Sequence, residues 1–164
     1  MGETQLVAVE DLDFAWMLGD GPSRSALALP PGGVDAPEIL RLLRGMARRL
    51  RGGGSHGSWM IVSGGEVVGL CSYKQAPKDG VVEIGYGVAG SRRRLGHATA
   101  AVTAMLDYAA TDPAVRKVIA STAADNTASQ RALARNGFVQ NGTVLDPDDG
   151  ELLLWHKDLR WDLP

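Results

Sequence analysis

One stretch of the chain concentrates residue types that bind anions. It reads Val82-Glu-Ile-Gly-Tyr-Gly-Val-Ala-Gly-Ser-Arg-Arg-Arg-Leu-Gly-His-Ala-Thr99. Strand-favouring residues run to Val88, a basic turn carries Arg92, Arg93 and Arg94, and a helical pattern starts at Gly96. Main-chain N–H groups at a helix start have no intrahelical partner and point outward. The aligned peptide dipoles add roughly half a positive charge there. Gly96 has no Cβ and Ala98 a small one, so a phosphate can approach the backbone closely. The chemistry suits a pyrophosphate; the plainer alternative is a basic turn that only starts a helix. The glycine spacings of a P-loop and of a dinucleotide-binding turn are both absent.

Two further residue sets are candidates. Glu83 is the one carboxylate of an otherwise apolar strand, and it shares a strand face with Gly85 and Gly87. Open space beside a carboxylate suits a general base; a solvated strand glutamate is the alternative. Asn126 and Ser129 stand three residues apart at a second helix start, where Asn126 can cap the helix. Cys71 lies in an apolar strand and reads as a buried, inert thiol. His56 sits in a Gly/Ser-rich loop, His97 in the basic turn and His156 beside Trp155. No His/Cys/Asp/Glu spacing points to a metal site.

These residues need a scaffold of alternating strands and helices. Thr4–Val9 reads as a strand, Glu10–Leu18 as one or two helical turns, and 36–50 as a helix with Pro37 in its first turn. Residues 59–62 and 66–74 form a hairpin pattern around Ser63-Gly-Gly65, followed by a strand over 81–88. A helix over 96–110, a strand over 115–123, a helix over 126–136 and a hairpin over 138–144 and 151–157 complete the pattern. A mixed α/β sheet layered with helices is expected, as one domain over 1–164. Residues 19–35, rich in Gly, Pro and Ser, form a long loop of the kind that is often functional.

The 164 residues carry a net charge of −2, with 45% hydrophobic and 22% charged residues. That argues for a globular domain and against a generic nucleic-acid binder. One cysteine excludes a disulfide framework and fits a reducing cytoplasm. No secretory signal or membrane-spanning run is expected from residues 1–6 or from the short apolar stretches. Arg41, Arg44, Arg48, Arg49 and Arg51 give one helix a basic face. Such a face could meet RNA, a ribosome surface or anionic lipid, but is more often merely solvated.

Arg93-Arg-Leu-Gly96-His-Ala98 resembles the Arg/Gln-x-x-Gly-x-Gly/Ala signature of the GNAT N-acetyltransferase superfamily. Asn126-Thr-Ala-Ser129 with Gly137-Phe138 resembles that superfamily's Asn-x-x-Ser…Gly-Phe element, and Glu83-Ile-Gly-Tyr86 is similar to the ribosomal-protein-alanine (RimJ/RimL) type. The resemblance is dense over 59–157 and weak over 1–58. It implies about seven strands, splayed between the fourth and fifth, and about four helices. It implies acetyl-coenzyme A as cosubstrate, with no metal, and a primary amine of a protein N-terminus or small molecule as acceptor. Val88 would meet the pantetheine, and Arg93, Arg94, Leu95, Gly96, His97, Ala98 and Thr99 the pyrophosphate, with Asn126 and Ser129 nearby. Glu83 would be the base and Ser129 the group facing the sulfur, because Leu133 stands where many relatives place a tyrosine acid. Trp59, Tyr73 and Tyr86 are expected to line the acceptor pocket. A catalytically silent acyl-coenzyme A-binding module is the alternative on the same fold. A monomer or a homodimer is expected, with Trp155 and Trp161 as a possible self-packing surface.

Overall fold

A computed structural model describes residues 3–159. Its elements, in chain order, are β1 (Thr4–Ala8), α1 (Asp11–Met17), α2 (Pro37–Gly52), β2 (Ser58–Ser63), β3 (Glu66–Tyr73) and β4 (Val81–Val88). A short 3-10 turn over Gly90–Arg92 leads to α3 (His97–Ala110), β5 (Lys117–Ala123), α4 (Thr127–Arg135), β6 (Val139–Asp146) and β7 (Gly150–Asp158). The strands form one seven-stranded sheet in the order β1-β2-β3-β4-β5-β7-β6. The last hairpin is thus inserted with β7, not β6, against β5.

All neighbours are antiparallel except β4 and β5. That parallel pair meets only from Val81↔Lys117 to Glu83↔Ile119. Beyond Glu83 the two strands part, as expected of the fourth and fifth strands. β4 continues to pair with β3 as far as Gly69↔Val88. Its other edge therefore runs unpaired by any strand from Ile84 onward, and the sheet opens there.

Side-chain alternation gives the sheet two apolar faces. Trp59, Ile61, Cys71, Tyr73, Val82 and Ile84 pack with Val102 and Met105 of α3 and Leu133 of α4. Met60, Val62, Val67 and Leu70 pack on the opposite face with Phe14 of α1 and Leu40 and Ala47 of α2.

The long loop after α1 is held down. Arg24 grips Asp13, which is 1% exposed, through Nε and Nη2 at 3.0–3.1 Å, and Nη2 also donates to the Ala8 carbonyl. Ala28 bridges to Glu66 beside the β2–β3 turn. Asp13 also accepts the Glu10 main-chain N–H at the start of α1.

The arginines of α2 are partly accounted for. Arg44 and Arg48 each fork onto Asp11 of α1, with Arg51 at 3.9 Å. Those two guanidinium groups hold the Asp11 carboxyl far below the usual carboxylate range. Three of the five arginines therefore clamp α1 to α2. Trp161 lies outside the described residues.

Candidate active site

Two cavities flank the opening of the sheet. The larger, about 970 Å³, lies between the end of β4, the start of α3 and α4. The smaller, about 330 Å³, lies under α2 on the other face. Both are lined by Tyr86 and Gly87, so they meet at the last residues of β4.

The larger cavity is built by main-chain conformation. Gly96 precedes α3 with φ +83°, and Arg94 also has positive φ, +66°. A non-glycine residue in this region is uncommon and strained, and such strain clusters at binding sites. Two left-handed residues separated by one other bend the turn into the helix start. No heavy atom lies within 4 Å of the place a Cβ would take on Gly96. The open N-terminal turn of α3 thus faces empty space with its amides unsatisfied by side-chain caps.

Charge reinforces that geometry. Arg92, Arg93 and Arg94 line the cavity from the turn, and Arg131 and Arg135 line it from α4. Arg92 is paired with Glu66 at 2.6 Å, and Arg93 Nε donates to the Val88 carbonyl at 3.3 Å. His97 is buried, and its Nδ1 is 3.0 Å from Thr4 Oγ1. Burial and the nearby Arg92 charge lower its pKa, which favours the neutral ring.

Asn126 caps α4, its Oδ1 accepting from the Ser129 N–H at 3.1 Å. Tyr86 reaches across the opening and donates to the Ser129 carbonyl at 3.0 Å. Burial pushes the Tyr86 hydroxyl up to about 12, so it stays protonated as a donor near neutral pH. This bond ties β4 to α4 where no strand pairing does.

Of the expected cofactor residues, Val88, Arg93, Arg94, Gly96, His97, Ala98, Thr99, Asn126 and Ser129 all line the larger cavity. Leu95 does not; its side chain is exposed outside it. Trp59 and Tyr73 line neither cavity. Strand alternation turns them to the α3 face, where both rings pack on Tyr108. Tyr86 alone of the three aromatic residues reaches the opening.

Glu83 lies one residue pair beyond the smaller cavity and lines neither space. Its carboxylate is 3.4 Å from Lys74 Nζ, and Lys74 does line the smaller cavity. Cys71 is buried, and desolvation pushes its thiol far above the usual range, so it is not a thiolate at neutral pH. Among the described residues no group of three His, Cys, Asp or Glu side chains could hold a metal ion.

Sequence reasoning missed Lys74, Arg131 and Arg135, and the α1, loop and α2 side chains of the smaller cavity. The two arginines had a signal, because residues four apart share a helix face. The others had none, since they are gathered from residues 14 to 87.

A mixed sheet parted at its parallel pair, with an open, basic helix start at the parting, defines the fold. The chain belongs to the GNAT acetyltransferase family, whose domain model matches residues 9–139. It is 32% identical over 87 residues to the uncharacterized N-acetyltransferase YjdG of Bacillus subtilis, a stretch that spans about half of that relative (52%) and 51% of this chain. The structure is similar to Mycobacterium smegmatis RimJ in complex with a coenzyme A disulfide. The TM-score is 0.70 at 26% identity, covering 99% of this chain and 85% of that one. It also shares the fold of an aminoglycoside acetyltransferase in complex with coenzyme A, with TM-score 0.68, 18% identity and 95% of each chain covered. Among the described residues no helix is long and apolar enough to cross a membrane.

Proposed function

We propose that the protein transfers an acetyl group from acetyl-coenzyme A to a primary amine by direct attack in a ternary complex. The observation that carries this reading is the meeting of a basic cleft and a separate apolar cavity at Tyr86 and Gly87. A carrier entering from one side and an amine from the other would join their reacting atoms there.

The amides of Arg94 through Thr99 would hold the pyrophosphate, with Arg93, Arg131 and Arg135 adding charge around it. Arg93 would release the Val88 carbonyl to the pantetheine and turn to phosphate. The main chain near Val88 would stabilise the oxyanion of the tetrahedral intermediate. Its neighbours on the open β4 edge have no strand to bond.

A primary amine is largely protonated near neutral pH, with reference pKa values of about 7.7–8.0 for an α-amine and 10.4 for lysine. It must lose a proton before it attacks the thioester carbon. Glu83 would take that proton through water, since it stands beyond the cavity wall. Attack forms the C–N bond of the tetrahedral intermediate, its collapse breaks the C–S bond, and the proton left on nitrogen passes to the departing thiolate through water. Ser129, at the start of α4 in the cleft, would hydrogen-bond that thiolate. A cytoplasmic setting accords with the single, buried and unpaired cysteine.

The silent acyl-coenzyme A-binding module is favoured by one observation, the Lys74 ion pair that occupies Glu83. Calorimetric titration with acetyl-coenzyme A, followed by thiol release with an amine panel, separates the two. Micromolar binding weakened by reversing charge at Arg93, together with amine-dependent thiol release, supports transfer. Binding without release from any amine supports the module. No binding by the folded protein removes both.

A further inference from the structure

The smaller cavity carries more chemistry than its place beside the cleft. Its walls are Phe14 of α1, Val34 of the long loop, Ile39, Leu42, Leu43 and Met46 of α2, and Leu70 of β3. Ile39 and Leu42 are 40% and 57% exposed, which is costly apolar surface to leave in water at a cavity wall. α2 thus has two apolar sides. Leu40, Ala47 and Leu50 are buried in the cores, whereas Ile39, Leu42, Leu43 and Met46 face the cavity.

The charged groups of the lining are one of each sign. Asp35 is the one carboxylate in the lining and Lys74 the one cation. The Lys74 stem lies over Gly85, where an added Cβ would come within 3.2 Å of its Cε, and its ammonium is held by Glu83. None of the five arginines of α2 lines the cavity, and Arg44, Arg48 and Arg51 turn to Asp11 of α1 instead. A polycation entering this pocket would meet apolar walls and no row of carboxylates.

We infer that the acceptor is a primary monoamine on an apolar body, aromatic or branched aliphatic, and that the apolar walls, with Asp35 as the one carboxylate, disfavour amines bearing a second cation. This rests on the acetyl-transfer reading above and names the substrate class of that same site. Free arylalkylamines and peptides with an apolar first residue present the same chemistry. In both, the apolar body would fill the α2 side of the cavity while the amine points to Gly87, where the thioester arrives.

The test compares kcat/KM for phenylethylamine, spermidine, a short peptide beginning with leucine and one beginning with lysine, at saturating acetyl-coenzyme A. Phenylethylamine and the leucine peptide should exceed spermidine and the lysine peptide by at least about tenfold, the scale a single pocket contact discriminates. Which of the first two is better tells the free amine from the peptide N-terminus. Leu42→Asp, at a largely exposed position, should narrow the gap between phenylethylamine and spermidine about tenfold through KM, with coenzyme A binding unchanged. Equal or better use of the polycations, or no response of the ratio to Leu42→Asp, overturns the inference while acetyl transfer stands. If acetyl-coenzyme A does not bind, the reading beneath it fails instead.

Discussion

The two cavities that meet at Gly87 are built on opposite plans. The larger is polar and made from main chain: a turn with two left-handed residues, Arg94 and Gly96, and the open start of α3. The smaller is apolar and made from side chains drawn from α1, the long loop, α2 and β2 to β4. A phosphate is the same in every carrier molecule, so amides fixed by one local turn can hold it. An acceptor has an individual shape, and only side chains assembled by the tertiary fold can match it. The basic cleft should therefore be sensitive to local backbone changes, and the apolar cavity to changes in distant packing.

The largest expected effect tests whether the two sides are joined chemically. Glu83→Gln should lower kcat by about 10² to 10⁴, the usual range for general-base loss, while acetyl-coenzyme A titrates as before. An unchanged kcat would remove Glu83 from the reaction and leave its ion pair with Lys74 as its role.

Next is the cleft alone. Gly96→Val places a branched side chain at φ +83°, where it is strained by about 1–2 kcal/mol. The turn must shift to relieve that, taking amides off the phosphate. Coenzyme A affinity should fall on the order of a hundredfold, as for loss of one or two charge-assisted hydrogen bonds. A calorimetric Kd within threefold of the original would argue that the turn only starts a helix.

Asp13→Ala sharpens the other side. It strips the partner from Arg24 and frees the loop that brings Val34 to the apolar cavity. Arg24 is partly exposed, so the cost should lie near the lower end for a broken buried pair, about 2–3 kcal/mol. Thermal unfolding should drop by roughly 4–12 °C. Acceptor KM should rise with coenzyme A affinity kept; loss of both would show the two cavities to be mechanically one.

The smallest effect concerns the clamp between α1 and α2. The Asp11 carboxyl is depressed below its ordinary value of 3.8 by Arg44 and Arg48. Its stabilisation is fully present above about pH 4 and is lost as pH falls toward the depressed value. The pair is partly exposed, so Asp11→Asn should cost under about 1 kcal/mol, seen only at low salt. Urea midpoints of the two proteins should converge as pH drops below 4. A pH-independent difference would mean that packing of α1, not charge, is what the substitution disturbs.

How far the sequence could be read follows the same division. The strand over Val81–Val88 and the helix starts at Gly96 and Asn126 were legible, because each is written in residue spacing over a few positions. Trp59 and Tyr73 were expected at the acceptor pocket but lie on the α3 face, because a strand shows which residues alternate but not which face holds the cavity. In α3, Leu106 and Ala109 are buried, while Tyr108 is 40% exposed with its ring against Trp59 and Tyr73. Spacing fixes a stripe, and only the neighbouring sheet decides which edge of it is covered.

The sequence by itself therefore determined the basic turn before α3, the order of elements and the one carboxylate of β4. Those depend on backbone conformation and on contacts between near neighbours. Only the tertiary structure decided that β7 lies between β5 and β6, that Lys74 holds Glu83, and that α2 turns four apolar side chains into a cavity. Each of these depends on which surfaces meet after the chain has closed. Such meetings are set by burial of the whole apolar surface, a quantity no short stretch of residues carries.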